Sequence, residues 1–144
     1  METYTFMLPK EILLIEDSST DTKMVLRALA NSTRRKNVVT SVDGDQAMTY
    51  LRKKVDGVKP DLILLDLNLP KKDGWEVLAE CKSDPRLKNI PIVVFTTSQQ
   101  SSEVRRCYEL GANSFVAKPF ELDAFLETIQ SIEDYWLGTS APAA

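Results

Sequence analysis

The stretch Asp61-Leu62-Ile63-Leu64-Leu65-Asp66-Leu67-Asn68-Leu69-Pro70 decides the fold. Its aliphatic block, Leu62 to Leu65, is too short for a helix and lacks the polar alternation of a half-exposed strand. Such a block reads as a strand covered on both faces, as in a parallel sheet between two helical layers. A carboxylate, Asp66, stands directly at its end. Working outward, Ile12-Leu13-Leu14-Ile15 and Ile92-Val93-Val94-Phe95 repeat the pattern, and Asn37–Ser41 and Ser114–Ala117 are weaker strand candidates.

Helical periodicity fills the gaps. Residues 101–110 place Val104, Cys107, Tyr108 and Gly111 at i, i+3, i+4 and i+7, with Gly111 as the stop. Leu122, Phe125, Leu126, Ile129, Ile132 and Trp136 form one stripe and predict a helix over 121–137. Val25, Ala28 and Leu29 mark a helix over 18–31, and Ala47, Met48 and Leu51 mark another over 43–54. Asp73-Gly74 opens a fifth that runs to Lys82. The order is β-α five times, which implies parallel pairing through right-handed crossovers. The fold class is therefore α/β: a flavodoxin-like doubly wound five-stranded parallel sheet, (βα)5, with strand order 2-1-3-4-5. One domain spans 1–144, with a core over about 10–132, a helical extension to about 137 and a frayed tail from Gly138.

Composition narrows the chemistry. The 144 residues are 43% hydrophobic and 27% charged, enough for a domain that buries roughly 70% of its unfolded surface. Eighteen basic against twenty-one acidic residues give a net charge of −3, which gives no support to nucleic-acid or anionic-membrane binding. There is no histidine, so Ser-His-Asp and Cys-His catalysis, His-ligated zinc and histidine autophosphorylation are excluded. Cys81 and Cys107 read as helix-borne core thiols in a reducing compartment. No basic-then-apolar leader opens the chain, and no apolar run approaches the ~20 residues of a membrane helix. A cytoplasmic protein is expected.

In open parallel sheets, ligands bind at the carboxyl ends of the strands. There the sequence places Glu16-Asp17 after strand one, Asp66 and Asn68 after strand three, Thr96-Thr97 after strand four and Lys118-Pro119 after strand five. Three carboxylates in one cleft repel, and an all-oxygen donor set favours a hard cation such as Mg²⁺. A lysine and a hydroxyl beside them suit phosphoryl oxygens, and an aspartate can be the nucleophile that takes the phosphoryl group.

Thr96 thirty residues after Asp66, and Lys118-Pro119 fifty-two after it, with the runs 61–70 and Phe115-Val-Ala-Lys118-Pro119-Phe120, resemble the response-regulator receiver domain over roughly residues 10–132. The loop Asp66–Gly74 and the ending Tyr135-Trp136 are similar to stand-alone regulators that partner cyanobacterial phytochrome-type histidine kinases. The resemblance implies a phosphorylation-switched signalling module rather than an enzyme. Asp66 accepts the phosphoryl group from a sensor histidine kinase. Asp17 and Asp66 bind Mg²⁺ through side chains, Asn68 through its backbone carbonyl, and Glu16 directly or through water. Lys118 and Thr96 contact the phosphoryl group, and Phe115 turns with Thr96. The Lys118–Pro119 bond is expected to be cis.

Other features have plainer readings. Arg34-Arg35-Lys36 reads as a solvated helix end, and Lys71-Lys72 as a loop beside the acidic cleft. Ile132, Tyr135, Trp136 and Leu137 extend the last helix's apolar character and mark a candidate homodimer surface. The rival function is a haloacid-dehalogenase-like Mg²⁺-dependent phosphatase. Its usual acid two residues beyond the nucleophile is here Asn68, and the chain has no room for a substrate cap.

Overall fold

The computed structural model describes residues 9–140. Five strands, β1 (Lys10–Ile15), β2 (Lys36–Ser41), β3 (Leu62–Leu65), β4 (Ile92–Thr96) and β5 (Ser114–Ala117), alternate with five helices. The helices are α1 (Ser19–Ala30), α2 (Gly44–Lys53), α3 (Gly74–Ser83), α4 (Ser101–Glu109) and α5 (Leu122–Glu133). All strand pairs are parallel, and the sheet order is β2-β1-β3-β4-β5.

Consecutive strand residues point to opposite faces, so each aliphatic block feeds two cores. Leu13, Ile15, Ile63, Leu65, Ile92 and Val94 pack with Met48, Leu51, Leu78 and Cys107 under α2, α3 and α4. Their neighbours Ile12, Leu14, Leu62, Leu64, Val93 and Phe95 pack with Val25, Leu29, Phe125 and Ile129 under α1 and α5. This is why the blocks show no polar alternation. Cys81 and Cys107 are free and buried, and burial pushes their thiols up to about 12 and about 11. They are inert packing groups.

Helix starts carry the expected chemistry. The side chains of Ser18, Asp43 and Asp73 accept the backbone N–H of Asp21, Gln46 and Glu76, capping α1, α2 and α3. Gly111 has φ +103°, the left-handed stop that a side chain would strain.

Two expectations need correction. The last stripe is not one α-helix to residue 137: after Glu133 the backbone changes to a π-helical turn over Asp134–Thr139, closed by Ser140 N–H to the Tyr135 carbonyl. Gly138 and Thr139 therefore belong to that turn rather than to a frayed tail, of which residues 141–144 lie outside the described part. Nor is Arg34-Arg35-Lys36 a solvated helix end. Lys36 opens β2; its side chain is largely covered, donates to the Leu29 carbonyl at 2.8 Å and pairs with buried Glu133 at 3.2 Å. Arg34 reaches Glu133 at 3.4 Å and Asp134 at 3.1 Å.

No helix among the described residues is long and apolar enough to cross a membrane.

Candidate functional site

The carboxyl edge of the sheet brings the sequence candidates together. β1 ends at Ile15 and delivers Glu16, whose N–H donates to Ser41. β3 ends at Leu65 and delivers Asp66, whose N–H donates to Ile15. Thr96 is the last residue of β4, and its carbonyl accepts the N–H of Lys118, just past β5. Main-chain ladders thus fix four side chains that are distant in sequence.

Lys118 is the hub. Its Nζ donates to Glu16 Oε1 at 2.5 Å, Asp21 Oδ2 at 2.8 Å and Asp66 Oδ2 at 2.9 Å. Burial acts to lower its ammonium, but the hydrogen bonds to Asp21, Glu16 and Asp66 outweigh it and hold it above the ordinary lysine range. Burial likewise pushes the Glu16 carboxyl up to about 7, against the opposing pull of Lys118 and with a further rise from Asp66.

One carboxylate oxygen from each of Glu16, Asp17 and Asp66 lies within 4.8 Å of the other two. This donor set is all oxygen, formally trianionic and only partly neutralised by one lysine, so it fits a hard divalent cation. Asn68 N–H donates to Asp66 Oδ1 at 3.1 Å, tying the following loop to the carboxylate. Gly74 closes that loop against α3, its N–H donating to Leu67. A Cβ there would stand 2.4 Å from the Asp66 carbonyl oxygen, so the loop could not close on any other residue without shifting.

Thr96 is fully buried, and its Oγ1 has no hydrogen-bond partner among the described residues. A buried hydroxyl in that condition costs about 1–3 kcal/mol and is a group waiting for an acceptor. Thr97 is exposed at the rim. Phe115 is half-buried against the α2–α4 core, and its N–H donates to the Tyr108 hydroxyl of α4 at 3.0 Å.

Not every expectation survives. No peptide bond among the described residues is cis, so Lys118–Pro119 is trans, the form that even a proline amide favours by about 0.5–1 kcal/mol. Of the proposed interface residues, Ile132 is buried in its own core and Trp136 and Leu137 pack on it, leaving Tyr135 exposed. Lys71 and Lys72 do lie on the loop between β3 and α3, where they pair with Asp43 and Glu80. Asp21 was missed: it sits in the first turn of α1, one turn beyond the acidic pair, and a sequence supplies no direct sign that it meets a lysine 97 positions away.

The chain matches the family described as the response regulator receiver domain over residues 12–130. It is 46% identical over 140 residues to the response regulator Rcp1 of Synechocystis sp., covering 94% of this chain and 95% of that protein. Among solved structures, the phosphorylated cyanobacterial phytochrome response regulator RcpA superposes with a TM-score of 0.90 at 46% identity, over 95% of this chain and all of that one. The Mn²⁺-bound form of Rcp1 superposes with a TM-score of 0.87 at 45% identity, over 94% and 100%.

Proposed function

The chain belongs to the response regulator receiver domain family, and from that premise we propose that Asp66 is its phosphoacceptor and a sensor histidine kinase its donor. As a receiver-domain response regulator it is a signalling protein, and nothing favours the phosphatase alternative. Position 68 carries an amide where that chemistry needs an acid.

The observation that carries the reading is the convergence of Asp66, Lys118 and an unpaired Thr96 hydroxyl at one edge of the sheet. An Asp66 carboxylate oxygen attacks the phosphorus of a phosphohistidine. The new P–O bond forms as the P–N bond breaks, and the electron pair stays on the departing imidazole. Lys118 neutralises a phosphoryl oxygen, and Thr96 Oγ1 donates to another. Glu16, Asp17 and Asp66, with the Asn68 backbone carbonyl, would hold Mg²⁺, which when bound supplies the positive charge that these acids and the phosphoryl oxygens lack. As Thr96 moves inward, Phe115 follows into the vacated space and changes the surface of α4, β5 and α5.

The likeness to Rcp1 and RcpA supports a phytochrome-type kinase as the donor. A homodimer across the end of α5 is supported by exposed Tyr135 and by a groove of about 480 Å³ between β5 and α5, lined by Val116, Thr128 and Trp136. Intact-mass analysis after treatment with acetyl phosphate and Mg²⁺ tests the acceptor. Wild type gains one phosphoryl group, and Asp66→Asn gains none. An equal gain in both overturns the assignment.

A further inference from the structure

Lys118 has three ammonium protons, and three carboxylates take them. Glu16 and Asp66 also belong to the acidic trio that fits a cation, whereas Asp21 does not. Asp21 is held in place by α1: its own N–H donates to Ser18 Oγ, Ser18 N–H donates to Glu16 Oε2 at 3.2 Å, and the positive end of the helix favours a carboxylate there. Its side chain is about a quarter exposed, against a few per cent for Glu16 and Asp66, so it can return to water at the least desolvation cost.

We propose that Asp21 is a positioning residue that holds Lys118 in the resting state and surrenders it when Asp66 carries a phosphoryl group, so that its carboxylate sets how strongly the protein favours the unphosphorylated form. This rests on Asp66 being the acceptor and Lys118 its phosphoryl contact. A phosphoryl oxygen needs a proton from an ammonium that has none to spare. The Asp21 bond is the one whose loss leaves neither the cation site nor the acceptor disturbed. The Asp21 charge also opposes the incoming phosphoryl charge, and both effects have the same sign.

Beryllofluoride, which mimics the phosphoryl group without a covalent bond to phosphorus, tests this by ¹⁹F NMR titration of the Mg²⁺-loaded full chain. Asp21→Asn, which keeps the side chain's shape, should bind it about tenfold tighter than wild type, or ~1.4 kcal/mol. In a Lys118→Met background the same substitution should lose most of that gain, which a merely structural role would not do. Equal or weaker binding by a folded Asp21→Asn overturns the proposal. If that variant does not fold, wild type labelled at its aspartate carboxyl carbons decides. The Asp21 resonance should shift on beryllofluoride binding, and an unmoved resonance overturns the proposal. Failure of wild type to bind beryllofluoride at all would instead remove the acceptor reading on which this rests.

Discussion

Two lysines with largely covered side chains sit at opposite edges of one sheet, and their surroundings differ in charge balance. At the amino edge, Lys36 and Arg34 face Glu133 and Asp134, two cations against two carboxylates, and Lys36 also takes a backbone carbonyl. At the carboxyl edge, one ammonium faces Glu16, Asp21 and Asp66, with Asp17 beside them. The first cluster is balanced in formal charge and clamps the end of α5 onto β2 through ion pairs. The second carries a formal surplus of negative charge that the protein does not neutralise. Burial with balance makes a strut; burial with imbalance makes a receptor for positive charge.

The largest effect separates the two edges by stability. Glu133→Ala leaves the largely covered Lys36 side chain without its carboxylate and should cost ~3 kcal/mol or more in urea unfolding while leaving Mg²⁺ affinity unchanged. A matching loss of metal affinity would break the comparison. Next, Lys118→Met enlarges the acidic surplus. Mg²⁺ binding by calorimetry should tighten about tenfold, while the beryllofluoride complex weakens but stays measurable; metal binding that weakens would mean Lys118 helps to build the cation site.

The pH dependence follows from Glu16. With its carboxyl near 7 in the folded protein, metal binding must displace a proton below that value. Mg²⁺ affinity should therefore fall by up to about tenfold per pH unit below 7 and level off above it. The metal-free fold has the opposite trend. A raised carboxyl binds more protons folded than unfolded, so this group's contribution to stability declines as pH rises from about 4.5 to about 7. A Glu16→Gln variant should flatten both profiles. The smallest effect is Arg34→Ala, which removes a partly exposed pair at the balanced edge and should cost less than about 1 kcal/mol by thermal melting.

What could be read in advance divides by range. Leu62–Leu65 was legible because burial on both faces demands an apolar residue at every position, which is a local signal. Asp66, Thr96 and Lys118 were legible because each directly follows a readable strand, so fold and site came together. Asp21 and the Lys36–Glu133 pair were not, because those contacts join residues whose charges look solvated in their own neighbourhood. The end of α5 failed for another reason. Its apolar spacing continues past Glu133, but the hydrogen bonding widens to i+5 there, and side-chain periodicity does not register that change.

One small contact has a consequence beyond signalling. β5 is an outer strand, and an outer strand presents main-chain amides on which a foreign strand can grow. The Tyr108 hydroxyl occupies one of them, at Phe115. The helix next to the edge thus blocks that amide as a template, and the same face can turn toward partners with one site fewer for strand addition.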